Sequence, residues 1–393
     1  MEKKLVRVAN SVLELEPLKE NTPTVEANPE PTLLKLDANE CTVGPSPAVY
    51  EAIDSFMHNW PLNWAPNSEA DRLKESLAHY VSLPKEAISC FEDSPSADIC
   101  ITRTYLESGT GVVISGPTRD SFKIAALSTG ASVCEVVHDK ASDPQIEAII
   151  NRIGPRTRLV YITNPNDISG AMFSEAEIVF LLAYAEGCMV VVNEEHFEYC
   201  GLTVADLITR FPNLVVKRSF GKAFGLGSLP TAYILSDSEN LEFINRMKIS
   251  GNPDAFHQVA ATAALEDAAK MRRNMTEINR SRKILFESLP EIGYEFQLTP
   301  ANFFLLKVPD TDSATAFLAR EGVLVRALSQ DDQLEGYLRV TIGTTEQTDR
   351  LLTVLSKLAE KLATGYNRQR FIGTVERIVP ESRKVMTEMQ KSL

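Results

Sequence analysis

The sequence predicts an α/β protein: a mostly parallel sheet between helices, followed by a smaller α+β unit. Three observations lead there. From about residue 87 to 235, short apolar runs alternate with helical stretches. The runs at 111–115, 159–163, 188–192, 214–216 and 232–235 are apolar without alternation, as strands covered on both faces must be. After Gly251-Asn252-Pro253 the pattern changes to a long helical stretch over 256–289, then apolar runs at 303–308, 323–325 and 338–341, and a helix over 345–362. That order predicts a second, antiparallel sheet packed with the N-terminal segment.

Each element has a local reason. Residues 1–32 carry prolines at 17, 23, 29 and 32 and read as an arm. An extended piece over 33–40 precedes Gly44-Pro45-Ser46-Pro47 and a helix from about 48 to 58; residues 60–67, rich in Pro, Asn and Trp, form a loop. Leu73, Leu77 and Val81 set helical spacing within 68–81. A strand at 87–91 opens into the turn Glu92-Asp93-Ser94-Pro95-Ser96, with a helix to Leu106. Helices are expected over about 119–129 and 174–186, and a strand over 132–137. The expected domains are an arm and part of the small domain (1–58), a large domain (59–252), a small C-terminal domain (253–363) and a polar tail (364–393).

Composition narrows the function classes. The 393 residues are 44% hydrophobic and 24% charged, ordinary for a globular protein with room for two cores. A net charge of −13 without a basic block disfavours nucleic acid and anionic membrane as partners. No run approaches the ~18 apolar residues of a membrane span, and the charged first 20 residues do not resemble a secretory signal. The six cysteines are scattered without metal spacing, so free thiols in a reducing cytoplasm are expected.

One stretch organises the chemistry. Residues 214–216 run into Lys217-Arg218-Ser219-Phe220-Gly221-Lys222-Ala223-Phe224-Gly225, which presents Lys222 beyond the carboxyl end of a buried strand. Open α/β sheets keep their sites at such ends. An amine partly stripped of water there serves as a nucleophile or Schiff-base former; the plain alternative is a surface lysine in a strand–loop connection.

The segments LDANECTVGPSP, SGPTRDSF, YITNPNDISG, VVVNEEHFEY, RSFGKAFGLG, ANFFLLKV, GVLVRAL and YLRVTIGT occur in this order between Leu36 and about Leu362. Together they resemble the fold-type I aminotransferases that use pyridoxal phosphate (PLP), in the histidinol-phosphate aminotransferase and threonine-phosphate decarboxylase branch. The resemblance implies a homodimer with its cleft between two domains, and PLP carried on Lys222. It implies that Arg339 holds a substrate carboxylate or phosphate, for which a guanidinium fork is suited, and that Asn39 lies on the substrate side. Trp60 and Trp64 flank the loop that reaches the partner in such proteins.

Several positions depart from the pattern. Asn193 replaces the aspartate that keeps the pyridine nitrogen protonated. Asp167 replaces an asparagine that donates to the phenolate oxygen. Asp93-Ser94-Pro95 stands where a Gly-Ser loop receives the phosphate, which adds a charge and removes an amide donor. Gly221, Pro230 and Ala65 replace a serine, an arginine and the partner's tyrosine; Arg119, His196 and Val43 replace aromatic residues. A charge-assisted hydrogen bond contributes about 1.5–3 kcal/mol, so four lost or reversed remove about 6–12 kcal/mol. Micromolar binding amounts to about 8 kcal/mol.

The expected reading is a diverged enzyme acting on a small carboxylate- or phosphate-bearing compound, without conventional PLP-dependent transamination. Lys222, Asp167, His196 and Glu195 form its acid–base set, and Arg339, Asn39 and Arg119 its substrate contacts. Were PLP bound, Lys222, Ser94, Asn193 and Ser219 would hold it. No metal is expected, because adjacent strand residues such as Glu194, Glu195 and His196 point apart. A genuine PLP transaminase or decarboxylase, and a non-catalytic ligand-binding subunit, stay open.

Overall fold

The computed structural model describes residues 8–13, 15, 33–118, 121–136, 138, 144–249, 253–328 and 334–365. Most of the expected arm, and the tail beyond residue 365, lie outside them.

The chain begins with α1 (Asn10–Leu13), β1 (Leu34–Lys35), α2 (Pro47–Asn59) and α3 (Asp71–Val81). Next come β2 (Ile88–Phe91), α4 (Ser94–Tyr105), β3 (Gly111–Ser115), α5 (Ser121–Ser128), β4 (Ser132–Val136) and α6 (Ile146–Ile150). Then follow β5 (Thr157–Thr163), α7 (Glu175–Tyr184), β6 (Met189–Asn193), α8 (Phe197–Cys200), β7 (Leu214–Ser219), β8 (Ala232–Ser236) and α9 (Ser238–Asn245). The last part holds α10 (Ala255–Glu266), α11 (Ala268–Glu291), β9 (Phe296–Leu298), β10 (Phe303–Lys307) and α12 (Thr311–Arg320). It ends with β11 (Val323–Leu324), β12 (Arg326–Ala327), β13 (Tyr337–Thr341) and α13 (Thr345–Gly365).

The seven-stranded sheet has the order β2-β8-β7-β6-β5-β3-β4, and only β8 runs antiparallel to its neighbours. Its strands are apolar in sequence because both faces are covered. Val113, Val160, Val190 and Val216 join one core cluster, while Val112, Leu159, Val191 and Val215 join the other. One-residue alternation between two buried faces yields the unbroken apolar runs. Because β5, β6 and β7 are parallel, the loops after Thr163, Asn193 and Ser219 leave the same edge of the sheet. All the chemistry described below gathers at that edge, where such sheets keep their ligands.

The second sheet is four-stranded and antiparallel, in the order β12-β13-β10-β9. Three details differ from expectation. The long helical stretch is two helices, α10 and α11, meeting at Asp267, whose carboxylate accepts the Ser46 hydroxyl. The strand expected at 323–325 stops at Leu324: β11 pairs in parallel with β1, and the next residues, Arg326–Ala327, form β12 against β13. Three-residue β9, too short to show periodicity, is an edge strand against β10. All six cysteines are free, and no helix among the described residues is long and apolar enough to cross a membrane.

Candidate functional site

Strand β7 delivers the lysine. Its exit is pinned by Phe220 N–H donating to Thr231 O at 2.8 Å, and buried Phe220, Ala223 and Phe224 anchor the turn around Lys222. Lys222 is half-buried, and its Nζ forms no hydrogen bond or ion pair with a described residue. Gly225, at φ +73°, is required for a reason the sequence did not reveal. A Cβ there would stand 3.0 Å from Val43 O and 3.2 Å from Pro45 N, so the glycine seats the N-terminal segment and not a ligand. Ser219 is half-buried at the start of the same turn.

The loop after β5 is held by its asparagines. Asn164 exchanges hydrogen bonds with Phe173 main chain, at 2.7 and 3.1 Å. Asn166 Oδ1 accepts Ile168 and Ser169 N–H, both at 2.9 Å, and its Nδ2 donates to Pro117 O. This fixes Asp167 between them. Asp167 Oδ1 lies 2.8 Å from His196 Nε2, and its main-chain oxygen accepts Asn39 Nδ2 at 3.0 Å and Arg339 Nη1 at 2.8 Å. Arg339 Nη2 donates to Asp37 O at 2.9 Å. Four expected site residues, Asn39, Asp167, His196 and Arg339, thus meet from four separate parts of the chain.

Burial pushes the Asp167 carboxyl up. The hydrogen bond and charge of His196, then the charges of Lys222 and Arg339, outweigh it and hold the group well below the usual carboxylate range. Lys222 is therefore close enough to act on Asp167 electrostatically without pairing with it. The ion pair Asp167 forms is with His196.

A second cluster forms where α4 begins. Asp93 is the N-cap, its Oδ1 accepting Ser96 N–H at 2.7 Å, and the Ser94 hydroxyl donates to the Glu195 carboxylate. Glu195 N–H in turn donates to Asn193 Oδ1 at 3.3 Å, and Asn193 Nδ2 donates to Tyr161 OH at 3.1 Å. Glu195, expected in one acid–base set with Lys222, thus accepts the Ser94 hydroxyl. The side chains of Glu194, Glu195 and His196 reach Arg218, Ser94 and Asp167 respectively. Arg119 lies outside the described residues.

Sequence reasoning missed two buried ion pairs beneath the site. Lys217 Nζ meets Asp98 Oδ1 at 2.7 Å, and Ser121 donates to the other oxygen of Asp98 at 2.6 Å. Glu194 Oε2 accepts Arg218 Nε and Nη2 at 3.0 and 2.8 Å, while Val204 N–H fills Oε1 at 2.7 Å. The available signal was two cations, Lys217 and Arg218, in an otherwise apolar buried strand.

The family model for aminotransferase class I and II matches residues 31–355. The chain belongs to that family. Within it, the chain is 31% identical over 335 residues to the dihydroxyacetone phosphate transaminase of Campylobacter jejuni, covering 84% of this chain and 91% of that one. It is also 31% identical over 376 residues to the histidinol-phosphate aminotransferase of Halalkalibacterium halodurans, covering 91% and 99%. The crystal structure of Sinorhizobium meliloti histidinol-phosphate aminotransferase with pyridoxal-5'-phosphate superposes with a TM-score of 0.78 at 21% identity, covering 92% of this chain and all of that one. Thermus thermophilus aspartate aminotransferase has the same fold, with a TM-score of 0.74 at 19% identity over 90% of this chain.

Proposed function

We propose that this aminotransferase-family chain acts on a small carboxylate- or phosphate-bearing carbonyl or amino compound without conventional use of PLP. The reading is carried by the start of α4. There the carboxylate of Asp93 takes a helix N-terminal amide, and the carboxylate of Glu195 takes the Ser94 hydroxyl. A helix N-terminus attracts anions through free amide donors and its dipole. With two carboxylates drawn in, a phosphate meets repulsion and finds its donors spent. Asn193 carries no charge with which to hold a protonated pyridine nitrogen, and Asp167 is an anion where a phenolate oxygen would sit. These residues do not fit PLP.

What remains can bind and move protons. Arg339, 7% exposed and fixed by two main-chain carbonyls, keeps a cation beside the site and orients an anionic substrate group. Asp167, clamped by His196, supplies a carboxylate near the Lys222 amine. The names of two relatives, for dihydroxyacetone phosphate and histidinol phosphate, support a phosphate-bearing substrate. We further propose a homodimer, in which a second copy covers the exposed apolar patch of Tyr50, Met57, Trp60, Leu62 and Trp64.

The competing reading is a genuine PLP transaminase, favoured by those same relatives and by the retained lysine. An absorbance spectrum of the purified chain, before and after added PLP, decides between them. The proposal expects no band from a pyridoxal–lysine adduct; such a band, lost in Lys222→Ala, overturns it.

A further inference from the structure

We infer that Lys222 condenses directly with the carbonyl group of a small oxo acid or phosphorylated ketone, so that the lysine itself becomes the covalent site. The inference rests on the PLP-free reading above and goes beyond it by assigning a bond and a substrate class.

Three features of the geometry support it. Lys222 is half-buried and its amine forms no hydrogen bond or ion pair with a described residue, whereas Lys217, fully buried in the preceding strand, is neutralised by Asp98. A carboxylate stands close by whose own partner is a histidine: Asp167 gives Oδ1 to the fully buried His196, and 29% of its side chain stays exposed. Its Oδ2 makes no hydrogen bond with a described residue. Arg339 and Asn39 hold the main-chain oxygen of the same aspartate, so the cation that orients an anionic group and the carboxylate beside the amine are tied to one residue.

The step balances without any further reactant. The ammonium of Lys222 loses a proton to water, and the free amine attacks the carbonyl carbon while the Asp167 carboxylate stays charged beside it. The carbonyl oxygen takes up a proton to give a carbinolamine. That hydroxyl then leaves with a second proton as water, and the product is a protonated imine. Ammonium plus carbonyl thus become iminium plus water, with nothing oxidised or reduced. An iminium withdraws electrons from the adjacent carbon, so a trapped substrate is activated for loss of a proton there, and the anionic Asp167 favours the positively charged adduct.

The chain offers a built-in control. Burial lowers Lys248 to about 8, with its Nζ donating to Ser89 Oγ and Cys90 O at 2.8 Å each and lying 4.3 Å from the Phe91 ring centroid. A reagent that merely seeks an easily deprotonated amine would label Lys248.

The test is borohydride reduction of the full-length protein with pyruvate, with dihydroxyacetone phosphate, and with no carbonyl compound, read by intact mass and peptide mapping. The expected result is one reduced adduct per chain on Lys222 with at least one probe; the pyruvate and phosphate arms tell which anion the site takes. The adduct should disappear in Lys222→Arg, which keeps the charge. It should form at least about tenfold more slowly in Asp167→Asn, with the unreacted protein's circular dichroism unchanged. Labelling of Lys248 alone, a Lys222 adduct insensitive to Asp167→Asn, or no adduct in either arm overturns the inference. A phosphopyridoxyl adduct in the arm without substrate would instead sink the PLP-free reading, so the two failures are distinguishable by mass.

Discussion

His196 Nε2 sits 2.8 Å from Asp167 Oδ1, with the histidine fully buried and the aspartate still partly open. That pair joins the loop after β5 to the turn after β6. An aspartate in the loop after β5 needs a donor, and the residue three beyond the end of β6 provides it.

The pair predicts a pH signature. The folded Asp167 carboxyl lies below its unfolded value near 3.9. The sign is therefore that of a depressed acid: its stabilisation is complete above the unfolded value and is lost as pH falls through the folded one. Asp167→Asn should cost about 1–3 kcal/mol at neutral pH, the worth of a charged hydrogen bond. Urea denaturation at about pH 7 and pH 3 should show this gap shrinking in acid; an equal gap at both would remove the charge from the account.

Removing the carboxylates should bring PLP back. Asp93→Gly, Glu195→Ala and Asn193→Asp together delete two repulsive charges and restore one counter-charge. One recovered charge-assisted bond corresponds to about tenfold in affinity, so the triple variant should bind PLP at least that much more tightly than the unaltered chain. Absorbance titration measures both; equal affinities would show that α4's start does not decide cofactor binding.

Lys217 and Asp98 predict a stability effect without a functional residue being touched. Both are fully buried, and burial pushes the Asp98 carboxyl up even with the lysine beside it. Lys217→Met strands that carboxyl and should cost about 3–5 kcal/mol. Adding Asp98→Leu should recover much of the loss in chemical denaturation, because the uncompensated charge goes with it.

Glu198 titrates near neutrality. Burial raises it to about 7, with Arg218 pulling it down and Tyr80 donating to it at 3.1 Å. Between the unfolded value near 4.3 and about 7, the folded chain binds the extra proton, so this residue makes stability fall as pH rises through that window. Glu198→Gln should flatten that decline in melting temperature; a slope as steep as in the unaltered chain would rule Glu198 out as its source.

The apolar patch predicts an assembly defect. Met57 and Trp64 are 46% and 65% exposed, so Met57→Glu with Trp64→Ser should leave the fold intact. Sedimentation should then show the proposed dimer replaced by monomer at micromolar concentration; an unchanged mass would place the interface elsewhere.

By itself, the sequence determined the layers, the strand–helix alternation and the turn carrying Lys222, because apolar continuity and turn chemistry are local properties of the chain. It also named Asn39, Asp167, His196 and Arg339, which the fold brings into contact. It did not reveal that Arg339 is gripped by carbonyls 172 and 302 residues away, or that Lys217 is neutralised by Asp98 at a separation of 119. Only the tertiary structure decided those pairings. Which buried charges face one another depends on strand register and on how the second sheet closes over the first, and neither leaves a periodic mark in the residues involved.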